Sequence, residues 1–150
     1  MQVFKVNDLK FKESLTRKIL NDLSEYFDDY MKNEISSSLD SNIYFAVQDN
    51  YGFEGFISLK EKEASLEIDA IGVLKSAQRM KCGQSLIKAA IDFAKINKKR
   101  IITINIKDDS SKDINYLKTR RFFTKMGFNN LTVVNTDNFI NPLLVMAYII

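Results

Sequence analysis

The sequence predicts an α+β fold, a mixed and mostly antiparallel sheet flanked by helices, in the order β-α-α-β-β-β-α-β-α-β-β. Three observations predict it. Short alternating or uniformly apolar runs recur with turn residues between them, runs of helical spacing lie before and among them, and no repeat, low-complexity tract or linker divides the chain. With 150 residues, 45% of them hydrophobic, the chain has the size and apolar content of one domain, 1–150, with a core that needs neither disulfide nor metal.

The first strand is Gln2 to Val6, which alternates; Lys10 to Tyr30 then carries Phe11, Leu15, Ile19, Leu20, Leu23 and Phe27 at helical spacing, enough for one or two helices. Ser36 to Ser38, Asp40 and Ser41 make a polar break. Ile43 to Val47 and Phe53 to Leu59 form a hairpin about Asp49 to Gly52, and Ser65 to Leu74 is a third long strand after a charged turn at Lys60 to Glu63. Cys82 to Asn97 is the best-defined helix, with Leu86, Ile87, Ala90, Ile91 and Ala94 on one face and Lys98 to Arg100 suited to its C-terminus. Ile101 to Ile106 is a buried strand, and Ile114 to Met126 a helix stopped at Gly127. Leu131 to Val134 and Leu143 to Ile149 close the sheet, with Pro142 at a strand start or edge.

Composition removes several classes of function. No histidine is present and Cys82 is the one cysteine, so the usual zinc ligand sets and any Ser-His or Cys-His dyad are missing; no metal site is expected. Cys82 cannot form an internal disulfide, and the N-terminal stretch lacks the layout of a signal peptide, so the expected location is cytoplasmic. The longest apolar run, Ile140 to Ile150, is broken by Asn141 and Pro142 and too short for a membrane helix, so no membrane partner is expected.

The net charge of +3 hides an uneven distribution. From Asn21 to Asp40 six acids (Asp22, Glu25, Asp28, Asp29, Glu34, Asp40) face Lys32 alone, whereas Lys75 to Lys125 holds fourteen basic residues and four acidic ones. The basic half suits a phosphorylated ligand, and the acidic segment a cationic one.

Between strand and helix, IGVLKSAQRMKCGQSLI places Gln78, Lys81 and Gly83 at the spacing of a Q-x-x-G-x-G/A phosphate loop, with Lys81 at the first glycine position. Such a loop works because unpartnered N–H groups at a helix start converge on a diphosphate, aided by the helix dipole. Taken alone, Gly83 reads equally well as a packing glycine. Further on, YLKTRRFFTKMGF is an amphipathic helix ending in glycine.

Together, and in this order, the two segments resemble the GNAT superfamily of acyl-CoA-dependent N-acyltransferases over nearly the whole chain. The resemblance makes Val73 the end of a splayed fourth strand, Gln78, Arg79, Met80, Lys81, Cys82, Gly83 and Gln84 the loop that holds the diphosphate of acetyl-CoA, and Arg121 to Phe128 the r-F-Y-x-k-x-G-F region; NPLLVMAYI looks like the final strand of small members. It also implies that the backbone of Ile71, Gly72 and Val73 takes up the pantetheine arm as an added strand and polarises the thioester. Two departures stand out. Lys81 replaces a glycine, which an ordinary backbone at Lys81 would tolerate, and Phe123, next to the cofactor, replaces a tyrosine that would protonate the thiolate.

Direct attack by an amine on a thioester needs a proton acceptor. Alternation puts Glu67, Asp69, Ile71 and Val73 on one strand face, and Glu67, eleven residues before Gln78, resembles family members with a glutamate base there, so Glu67 comes first and Asp69 second. A solvated strand face or partners for lysines is the plain alternative for both. Tyr116 is the nearest phenol to the expected acid position. Cys82 reads as a packing residue rather than a nucleophile. The expected partners are therefore acetyl-CoA and a primary amine, cationic if the acidic segment steers it, and the domain leaves room for a homodimer. Two other readings stay open: a CoA-binding regulatory module without turnover, and a basic nucleic-acid binder. The second is disfavoured because the basic residues lie on several elements.

Overall fold

The computed structural model describes residues 1–107, 114–135 and 142–150. Asp108, Asp109, Lys112 and Asp113 of the basic half, and Ile140 and Asn141 of the closing apolar run, lie outside the described residues.

Among the described residues the chain forms β1 (Gln2–Lys5), α1 (Leu9–Asp22), α2 (Asp29–Ser38), β2 (Ile43–Asp49), β3 (Gly52–Glu61), β4 (Ser65–Val73), α3 (Cys82–Ile96), β5 (Ile101–Lys107), α4 (Ile114–Lys125), β6 (Asn129–Val134) and β7 (Leu143–Ile149), in the predicted order. The strands make one sheet, β1-β2-β3-β4-β5-β7-β6. Every neighbouring pair is antiparallel except β4 and β5. A parallel pair needs a crossover, and α3 supplies it.

Strand alternation divides the core in two. Tyr44, Ala46 and Phe56 face α1 and α2, where they meet Leu15, Ile19, Leu20 and Ile35. Phe45, Val47, Ile57, Leu59 and Ile102 face α3 and α4, against Leu86, Ile87, Ala90 and Phe123.

Several boundaries differ from the sequence reading. The apolar period from Lys10 to Tyr30 is cut into two helices because aspartates cap each start: Asp8 accepts from the amide of Phe11 (3.1 Å) and Asp28 from that of Met31 (2.8 Å). Ser36 to Ser38, expected as a break, form the last turn of α2, where the hydroxyls of Ser37 and Ser38 donate to the carbonyl of Glu34. β3 runs on through Lys60 and Glu61, and the reversal is closed by the Lys62 amide on the Ser65 carbonyl (2.9 Å).

Two irregularities of β4 shape the site. It pairs with β5 only from Ser65↔Ile101 to Ile68↔Ile104, after which Asp69 to Val73 stay on β3 while β5 continues along β7, so the two strands part as a fork. Against β3, Ser58 pairs with Ala70 and Leu59 with Ile68, which leaves Asp69 unmatched in a β-bulge.

Candidate functional site

After Val73 the chain makes a 3₁₀ turn, Lys75–Met80, and enters α3. Buried Ala77 anchors the turn, and the Gln78 amide donates to the Val73 carbonyl (3.1 Å), tying the turn to the end of β4. Lys81 does not have the ordinary backbone under which a lysine there is readily tolerated. It is the N-cap of α3 at φ 64, ψ 21, the left-handed conformation that a glycine adopts without cost. No side chain caps α3, so the N–H groups of its first turn remain available to an anion beside exposed Arg79 and Lys81.

Gly83 has a packing reason as well. A Cβ there would stand 3.1 Å from Cζ of Phe122, so the missing side chain lets α4 close on α3. Cys82 is fully buried, and burial, with Asp49 and Glu54 adding to it, pushes its thiol up, as befits a packing residue.

The bulge at Asp69 overturns the expectation that Glu67, Asp69, Ile71 and Val73 share a face. Leu66 and Ile68 face α3, but after the extra residue Ile71 and Val73 face α3 instead, while Ala70 and Gly72 turn to α1. Glu67 and Asp69 thus stand on the α1/α2 side, and Ile71 and Val73 on the other.

Glu67 is opposite Thr103, inside the paired part of β4, where Asn105 donates to it (3.2 Å) and Lys62 lies 3.6 Å away. Asp69 is the first residue past the last β4–β5 rung. It accepts from Nδ2 of Asn42 (3.2 Å) and pairs with Lys60 at 3.4 Å. Burial pushes its carboxyl above the ordinary range; Lys60 and Asn42 pull the other way and Glu67 adds to the rise.

Tyr116 and Phe123 both belong to the α3-side core. Phe123 is 1% exposed, edge-on to Phe122 (5.1 Å) and Phe128 (5.2 Å), so its ring serves packing within the core. Tyr116, also buried, lies in the first turn of α4.

The loop between α1 and α2 is tied to both flanks of the fork. Asp22 accepts from the Lys75 amide (2.8 Å), Glu25 pairs with the Lys75 ammonium (2.9 Å), and the Glu25 carbonyl accepts from Asn115 of α4 (3.2 Å). The hydrogen bond from Lys75 lowers the Glu25 carboxyl. Asp22, Glu25 and the capping Asp28 are therefore bonded within the fold, although Glu25 and Asp28 are exposed, as are Asp29, Glu34 and Asp40.

Asn42, Lys60 and Lys75 carry no signal in the sequence. Their roles arise from strand register and from contacts between residues far apart in the chain. Among the described residues no helix is long and apolar enough to cross a membrane, and no cluster of three metal-ligating side chains occurs.

No curated protein matches the chain. Solved structures match it throughout: a Desulfovibrio desulfuricans protein assigned to the GNAT family (12% identity, 99% of this chain and 98% of that one, TM-score 0.81). An aminoglycoside 6'-N-acetyltransferase from Enterococcus faecium matches at 18% identity, 99% and 97% coverage and TM-score 0.75, and a Bacillus subtilis acetyltransferase in complex with CoA at 16%, 99% and 98%, and 0.73. At these identities the likeness is one of fold, and its sheet and flanking helices are those described above. The model of the GNAT acetyltransferase domain matches residues 40–130, which span the fork, the turn into α3 and α4. The chain belongs to the GNAT acetyltransferase family.

Proposed function

We propose that the protein transfers an acetyl group from acetyl-CoA to a primary amine by direct attack. The observation that carries this reading is the fork between β4 and β5, which opens beside the uncapped start of α3. The free edge of Ile71 to Val73 offers backbone groups to the pantetheine arm, and the first-turn amides of α3 (Cys82, Gly83, Gln84), with Arg79 and Lys81, hold the diphosphate. Gln78 and Met80 shape the turn that leads there, and Gln78 does so through its bond to Val73.

The amine enters from the α1/α2 side, where Asp69 takes its proton as the nitrogen attacks the thioester carbon. Glu67 is the second candidate. This reverses the order that spacing suggested, because Asp69 lies past the last rung and has the raised carboxyl, closer to the basicity that proton transfer needs. Collapse of the tetrahedral intermediate breaks the C–S bond, and the leaving thiolate takes one proton, from Tyr116 or from water. Phe123 has no proton to give. The products are an acetamide and CoA. Asp29 and Glu34, exposed on α2, and Asp40, exposed in the turn after it, favour a cationic amine.

Steady-state acetylation of an amine panel, followed by mass spectrometry, tests the assignment. Asp69→Asn should lower kcat by about 10²-fold while CoA affinity is kept, the low end for loss of a general base. If Glu67→Gln does this and Asp69→Asn does not, Glu67 is the base. CoA binding without product across the panel would instead mark a binding module.

A further inference from the structure

Asn42, between α2 and β2, is 6% exposed. Its main chain is fixed by the fold: the amide donates to the Ser38 carbonyl (3.1 Å), and the carbonyl accepts from the ammonium of Lys12 (2.9 Å). Lys12, itself 4% exposed, also bonds the Leu39 carbonyl (2.9 Å) and so secures the end of α2 to α1. None of this uses the Asn42 side chain. Its amide nitrogen donates instead to the Ser58 hydroxyl (2.9 Å) and to one oxygen of Asp69 (3.2 Å). The other Asp69 oxygen faces Lys60 at 3.4 Å. Because Asp69 is the unmatched residue of the bulge, no cross-strand partner sets its direction; Asn42 and Lys60 do.

We propose that Asn42 is a positioning residue for acetyl transfer, whose side-chain amide, on a main chain held by buried Lys12, aims the Asp69 carboxylate at the mouth of the β4–β5 fork. This rests on the reading of Asp69 as proton acceptor. The groups around that carboxylate have opposite effects: Asn42 and Lys60 stabilise its charged form, Glu67 destabilises it, and burial opposes charge altogether.

The test is kcat against pH at saturating acetyl-CoA and amine, for the wild type and for Asn42→Ala, Asn42→Ser, Lys60→Met and Glu67→Gln. Loss of Asn42 or Lys60 removes a partner of the carboxylate, so the acidic limb should move up, by about half to one pH unit for one charge-assisted hydrogen bond at a partly exposed group. Glu67→Gln removes a like charge, so the limb should move down. The Asn42 variants keep the main-chain bonds to Lys12 and Ser38, and Lys60 is outside the core, which guards the test against misfolding. A lower kcat at every pH with an unmoved limb would show that Asn42 is merely structural and overturn the inference alone. Loss of turnover in Glu67→Gln would overturn it by moving the base. Wild-type protein that acetylates no amine would overturn both the inference and the function it rests on.

Discussion

At residue scale, two positions show what side-chain type alone conceals. Lys81 stands where a phosphate loop usually has glycine, and it adopts the left-handed conformation regardless, at a cost of roughly 1 kcal/mol for a side-chain-bearing residue. The backbone path into α3 dictates the conformation, and the sequence carries no mark of it. Glu54 is the second such position. It is 7% exposed in the β2–β3 hairpin, where burial, and then Asp49, raises its carboxyl, and one buried oxygen of Asp49 has no hydrogen-bond partner. A carboxyl raised on folding favours the protonated native state. Its stability contribution is whole below the unfolded value of about 4.3 and is lost as pH rises through the folded value. Glu54→Gln should therefore match the wild type in melting temperature near pH 4 and exceed it increasingly toward pH 8. Thermal melts across that range check it, and a variant less stable than wild type at pH 8 would mean that the charge of Glu54 is compensated after all.

The element that matters most is β4. Its existence and approximate length were legible, since polar and apolar residues alternate from Ser65 to Ala70; the strand expected over Ser65 to Leu74 ends one residue earlier, at Val73. The bulge was not read, because it is a property of the register against Ser58 and Leu59 of β3 that changes which face each later side chain takes; its one mark along the strand is the adjacent apolar pair Ala70 and Ile71. That is why Glu67 and Asp69 were assigned to a common face with Ile71 and Val73. The helices tell a similar story: the apolar period announced them, and the capping aspartates decided where they start. Asp28 looked like a steering charge and is an N-cap, so Asp28→Ala should cost about 1 kcal/mol of stability, whereas Asp29→Ala, one residue on and exposed, should change little. Denaturant unfolding of the two variants decides this, and equal stabilities would remove the cap from the explanation.

At the scale of the whole molecule, the order of elements, the fork and the uncapped helix start come from well-separated segments that agree on one architecture. This is why the fold was readable from periodicity and two motifs. The partners of the site were not, since Asn42, Lys60, Lys75 and Asn115 reach it from four separate segments of the chain, and nothing local marks them. The central claim is that acetyl-CoA, held between β4 and β5, gives its acetyl group to an amine. The most direct measurement is amine-dependent release of the CoA thiol from acetyl-CoA by the purified protein, with the acetylated amine identified by mass. The expected result is release that needs both protein and a primary amine and saturates with each substrate. Acetyl-CoA left intact across cationic, neutral and anionic amines, by a protein that CoA demonstrably stabilises against heat, would contradict it.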